Sequence, residues 1–106
     1  MKSKNVKIVV TVPTSHADRV RERMAQAGAG IVGNYSHASF STKGIGRFKP
    51  MNGAHPAIGK TGTLESVEEE RIETICSRDT VERVIQAIKN VHPYEEIALD
   101  VYPIES

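Results

Sequence analysis

Two stretches of the chain hold residues whose types and spacing could do chemistry. The first runs from Gly53 and ends in Gly59-Lys60-Thr61. A phosphate-binding P-loop needs a glycine, four residues, then Gly-Lys-Ser/Thr, set between a strand and a helix. Here five residues separate Gly53 from Gly59. Pro56, one of the five, removes a backbone N–H that could face an anion. The P-loop reading therefore fails, but a looser anion site has its own support. Residues 41–63 carry Lys43, Arg47, Lys49 and Lys60, five of the eight glycines, and no acid. Glycine N–H groups next to cations suit a phosphate or carboxylate. The ligand-binding candidates are Gly44, Gly46, Arg47, Lys49, His55, Gly59 and Lys60. The plainer alternative is a twisted hairpin whose cations face the glutamates of residues 65–73.

The second stretch is His92-Pro93-Tyr94-Glu95-Glu96. Imidazole beside carboxylates can hold a divalent metal or move a proton. His92, Tyr94, Glu95 and Glu96 are thus candidates for a metal site or a cleft rim. Zinc needs three or four ligands. His16, His37, His55 and His92 show neither an i, i+4 pair nor His-x-His spacing. Any metal site must be assembled across elements or subunits. The plainer reading makes Pro93 a turn, Tyr94 a packing residue and His92 a cap at a helix C-terminus, where positive charge is favoured. Cys76 has no base in sight and reads as a small packed hydrophobe.

The elements that must position these residues are legible from periodicity. Val6, Ile8, Val10 and Val12 alternate in a β-branched run ended by Pro13, which predicts a strand. Thr14 or Ser15 can cap a helix in which Ala17, Val20, Met24 and Ala27 recur on one face, with Gly28 at its C-terminus. A second extended region is expected over residues 34–41, followed by a long glycine-rich loop over 41–63. Residues 64–76 are in conflict: their glutamates favour helix, yet a helix here would run directly into the next one. Strand is the better choice. Asp79, with Glu82 three residues on, forms a capping-box pattern before the apolar stripe Val81, Val84, Ile85, Ile88 and Val91. His92-Pro93 stops that helix. Ile97, Leu99 and Val101 alternate in a last strand. The order βαββαβ is the split arrangement of an α+β, ferredoxin-like fold: a four-stranded antiparallel sheet with two helices on one face. The other face must be polar or covered by another subunit.

Bulk properties exclude several function classes. With 14 basic and 13 acidic residues the net charge is +1, so no global field favours nucleic acid or an anionic membrane. Five aromatics and no Trp leave little for base stacking. The chain of 106 residues fits one domain, 1–106. One cysteine and an apolar N-terminal stretch too short for a signal peptide lead us to expect a cytoplasmic protein without a membrane segment.

The residues also resemble a known family. Ala27-Gly28-Ala29-Gly30-x-x-Gly33-x-Tyr35, Ser39-Phe40, Gly44-x-Gly46-x-Phe48-x-Pro50, Gly53-Ala54-x-Pro56-x-Ile58-Gly59 and Arg71-Ile72-Glu73 are similar to the insert domain of YqfO-type members of the Nif-three-like family. They are equally similar to stand-alone YqfO-like proteins of about this length. His92-Pro93-Tyr94-Glu95 is shared with CutA proteins. The resemblance implies a fold related to CutA and PII signalling proteins, with trimeric packing and a long loop between the second and third strands. It also implies that the two-metal site of full-length members belongs to flanking domains outside these residues. Related inserts often carry a cysteine where this chain has Ala38, so no thiol role is implied there.

The expected function is a non-enzymatic, PII/CutA-like module. It would form a homotrimer and bind a small anion, a nucleotide or a divalent metal, or present its loop to a protein partner. A ligand-free interaction module is the first alternative. A metal-dependent hydrolase, by family association, is the second.

Overall fold

A computed structural model describes residues 3–105; Met1 and Lys2, from the amino-terminal stretch, and Ser106 lie outside the described residues. The elements follow the expected order: β1 (Asn5–Pro13), α1 (Thr14–Gln26), β2 (Phe40–Phe48), β3 (Glu65–Ser77), α2 (Val81–Val91) and β4 (Leu99–Pro103). The strands form one sheet in the order β2-β3-β1-β4, and each neighbouring pair is antiparallel. No described helix is long and apolar enough to cross a membrane.

Strand parity decides what each face of the sheet does. Val6, Ile8, Val10 and Val12 of β1 share a face with Ile72 and Cys76 of β3. All six are buried against Ala17, Val20 and Met24 of α1 and Val84 and Ile88 of α2. The β-branched run was written for this face. Cys76 lies in this core, and burial pushes its thiol pKa up, as a packing role requires. Helix α1 ends in a Schellman motif. The Gly28 N–H donates to the Ala25 carbonyl, and the Ala29 N–H to that of Met24. Arg83 of α2 adds a bond from Nε to the Ala27 carbonyl at 2.9 Å.

Several local expectations need correction. Residues 34–39 form no ladder strand; Val32 and Tyr35 make only an isolated bridge, and β2 starts at Phe40. The glycine-rich loop is shorter than expected. Its first part, including Gly44, Gly46 and Arg47, is strand, paired residue for residue with Glu65–Glu73. Backbone pairing is indifferent to side chains, so two glycines do not prevent it. The connection proper spans residues 49–64. Neither helix uses its expected cap. Pro13 precedes α1 and Thr80 precedes α2, both without a side-chain capping bond. The Thr80 hydroxyl instead donates to the Ser77 carbonyl at 3.2 Å.

Candidate functional site

The second sheet face is not left bare. On it β2 presents Phe40, Thr42, Gly44, Gly46 and Phe48, and β3 presents Glu69, Arg71 and Glu73. Thr11 of β1 pairs with Arg71. Over part of this surface lie residues 49–58 and the turn after α2. The two covering segments are tied together: the His55 backbone N–H donates to Glu95 Oε1 at 2.7 Å. Between them and the sheet is a cavity of about 550 Å³. Apolar walls come from Phe48, Met51, Ala57, Ile58 and Ala98, and cations from Arg47, Lys49 and Arg71.

The two chemistry-bearing stretches of the sequence therefore meet. Of the residues expected to bind, Gly44, Gly46, Arg47, Lys49, Tyr94, Glu95 and Glu96 line this cavity. Four do not. His55 contributes its backbone N–H to the strap, as above. Gly59 and Lys60 lie further along the connection, where the Thr63 N–H donates to the Lys60 carbonyl. The segment after them is β3, so no helix N-terminus faces Lys60, as the failed P-loop reading requires.

His92 is not a rim residue. It is 7% exposed, and both ring nitrogens are engaged. Nδ1 accepts from the Tyr94 backbone N–H at 3.2 Å, and Nε2 lies 2.8 Å from the Thr11 carbonyl oxygen. A carbonyl only accepts, so Nε2 carries the proton and the ring is the neutral Nε2–H tautomer. Burial lowers the His92 pKa, against the opposing pull of the Thr11 carbonyl and the Glu69 charge. A ring so occupied fixes the turn after α2 against β1 and has no lone pair left for a metal. Among the described residues no group of three or more His, Cys, Asp or Glu side chains could hold an ion.

The residue that the sequence reading missed is Glu69. The glutamates of β3 looked like a solvated face or partners for loop cations. Two of them are buried instead, Glu69 and Glu70. Glu70 turns to the helix side and pairs with Arg21 of α1 at 2.7 Å, while Glu73 pairs with Lys7 and Arg71. Glu69 turns to the cavity, where Tyr94 Oη donates to its Oε2 at 2.7 Å. Burial first, and then this hydrogen bond, raise the Tyr94 pKa, so the hydroxyl remains a donor. The Tyr94 ring also packs edge-on against Phe48, with centroids 5.6 Å apart. Gly46 makes room for the carboxylate, since an added Cβ there would overlap the Glu69 side chain. The signal was present in part. Alternation along β3 separates Glu69 from Glu70, but which face closes over depends on the strap.

No protein-family model matches the chain. Comparison of folds gives the class. The chain is similar to CutA1 from Shewanella sp. SIB1, with a TM-score of 0.72 and 16% identity, over 100% of this chain and 86% of that one. It is similar also to GlnK in the B. subtilis GlnK-ATP complex, with a TM-score of 0.63 and 16% identity, over 98% and 84%. The fold is the α+β, ferredoxin-like one of CutA and PII-type chains. More similar in sequence is a Bacillus cereus protein related to NIF3, with a TM-score of 0.85 and 46% identity, over 100% of this chain and 27% of that one. A GTP cyclohydrolase 1 type 2 homolog of Halalkalibacterium halodurans is 52% identical over 98 residues, 92% of this chain and 26% of its own. The chain thus spans about a quarter of the length of these relatives, and it is a homologue of that YqfO-like segment of the Nif-three-like proteins.

Proposed function

We propose that this chain is a homo-oligomeric, PII/CutA-like module that binds a small organic anion, a nucleotide in the first instance, in the cavity under residues 49–58. The observation that carries the proposal is the cavity itself. It joins the glycine-rich stretch to the turn after α2 and combines apolar walls with three cations. About 550 Å³ is within the range of small-molecule sites. Flat apolar walls suit a ring, and Arg47, Lys49 and Arg71 suit its phosphates. The same lining carries Glu69, Glu95 and Glu96, but Glu69 is engaged by the Tyr94 hydroxyl and Glu95 by the His55 backbone N–H, and this favours the reading in which the cations meet the ligand. The fold neighbour bound to ATP by its printed name adds support. The cyclohydrolase name belongs to proteins of which this chain spans about a quarter, and the proposed role is binding and regulation, without catalysis.

Assembly as a homotrimer in the cytoplasm, with residues 1–106 acting as one domain, completes the reading. The two edges of the sheet support assembly. Edge strand β2 carries Lys43, Arg47 and an exposed Ile45, and edge strand β4 carries Asp100, Val101 and an exposed Tyr102. Opposite charge on two unpaired edges favours pairing between copies.

A thermal-shift panel of nucleotides and divalent metals, run beside sedimentation analysis, tests the proposal. A nucleotide at a hundred times its Kd stabilises by about 2.7 kcal/mol. The R47A/K49A double variant is expected to lose that response while keeping its oligomeric state. A flat panel on a well-folded oligomer would overturn the ligand-binding reading and leave a ligand-free interaction module.

A further inference from the structure

The strap over the cavity is held at few points. Its neck is closed by the Gly62 N–H, which donates to the Pro50 carbonyl at 2.8 Å, and Pro50 is buried. None of residues 51–60 is buried. Among the described residues, one hydrogen bond leaves the connection 49–64 for the rest of the fold: the His55 backbone N–H donates to Glu95 Oε1 at 2.7 Å. A backbone N–H in a glycine-rich, cationic segment is the donor expected to meet an anion. Here it does, and the anion is the chain's own carboxylate. Glu95 is exposed on the turn after α2, and it lines the cavity together with Ala54 and Pro56, the neighbours of His55. Arg47 and Lys49 line the same cavity and form no ion pair among the described residues.

We propose that Glu95 is an internal stand-in for the ligand: it occupies the anion-binding N–H of the strap in the free chain, and an anionic oxygen of the ligand displaces it. The inference rests on the anion reading above and adds how that site is regulated. Glu95 and the ligand compete for one donor, whose bond to a charged acceptor is of the strong kind. They compete also through charge. The carboxylates of Glu69, Glu95 and Glu96 share one lining with Arg47, Lys49 and Arg71, so the formal charges cancel. An entering anion is favoured when one carboxylate leaves. Glu69 is buried and held by Tyr94 Oη, so it stays. Glu95 is exposed, and an exposed carboxylate exchanges its partner for water with little loss. Glu95 thereby keeps the affinity for anions low.

Titration calorimetry of the full chain with inorganic tripolyphosphate and with ATP tests this. Glu95→Gln removes the charge and keeps an acceptor for the strap; Glu95→Ala removes both. Each variant is expected to bind both probes roughly threefold or more tightly than the unaltered chain, the scale of one like charge near a protein surface. Glu95 is exposed, so neither change opens a hole in the core. Hydrogen exchange of the strap, read by mass spectrometry, follows the N–H itself. Glu95→Ala should speed exchange at His55, and saturating tripolyphosphate should slow it again. His55→Ala keeps the backbone donor and should retain native protection. Tighter binding with restored protection supports the stand-in. Equal or weaker binding by both variants, or binding that leaves exchange at His55 fast, overturns it and leaves the anion reading in place. Binding of neither probe, by the unaltered chain or either variant, overturns the anion reading and this inference with it.

Discussion

Replacing Gly46 with alanine probes the contact on which the site depends. An added Cβ would overlap the Glu69 carboxylate. The overlap falls on the end of a flexible side chain, which in most settings would simply move aside. Here it is tethered, because Tyr94 Oη donates to Oε2 at 2.7 Å. The alanine must therefore break a hydrogen bond to a charged acceptor, worth about 1.5 to 3 kcal/mol net. Against this, alanine in a strand gains roughly 0.5 to 1 kcal/mol over glycine through reduced chain entropy. Gly46 is not among the residues with positive φ, so no backbone strain enters. The balance is a loss of about 1 to 2 kcal/mol, and each kcal/mol lowers Tm by about 4 to 8 °C in a chain of this size. Urea unfolding of the unaltered chain, G46A, Y94F and the double variant measures the coupling. If the reasoning holds, G46A costs nothing or stabilises once Tyr94 has become Phe, since the carboxylate is then free to swing away. An equal cost of G46A in both backgrounds would refute the account.

The buried histidine predicts the acid side of the stability profile. His92 has a lowered pKa in the folded chain, so the unfolded chain binds the extra proton more readily. Its contribution is complete above the unfolded value of about 6.5 and is lost as pH falls below it through the folded pKa. Protonation at Nδ1 also removes the acceptor of the Tyr94 N–H. Denaturant midpoints from pH 8 to 5 should fall for the native chain, and His92→Gln should flatten that part of the curve. Gly30 has φ +83°, and a Cβ there would come 2.7 Å from the Ala38 carbonyl oxygen. Gly30→Ala should destabilise by more than about 1 kcal/mol, read as a lowered urea midpoint. Ile72 is fully buried between the sheet and the helices. Ile72→Ala should cost about 2 to 5 kcal/mol in the same assay while leaving the cavity-lining residues untouched.

The sequence by itself determined the architecture. Alternation in β1, the 3.6-residue stripes of α1 and α2, and the stop at His92-Pro93 are local patterns. Each follows from which side chains one buried face must hold, and together they limit the topology to one split βαββαβ sheet. The conflict over residues 64–76 resolves the same way, because β3 buries Ile72 and Cys76 with a period of two. The sequence also picked out both stretches that line the cavity, because glycines with cations and His-Pro-Tyr-Glu are unusual local chemistry.

Tertiary structure alone decided the rest. Residues 42–48 read as loop because their glycines carry no pattern, yet β3 supplies a ladder partner for every one of them. A partner 17 to 33 residues away, as across the β2–β3 ladder, leaves no trace in local composition. The cap of α2 failed for a related reason: the helix begins at Val81, so Thr80 and not the expected Asp79 holds the cap position, and the Thr80 hydroxyl bonds the Ser77 carbonyl instead. Glu69 is the clearest case. It is one of a run of glutamates that look alike in sequence, and only the strap joining His55 to Glu95 turns its face of the sheet into the wall of a cavity. Burial is a property of what lies opposite, and what lies opposite Glu69 is Tyr94, 25 residues further along the chain.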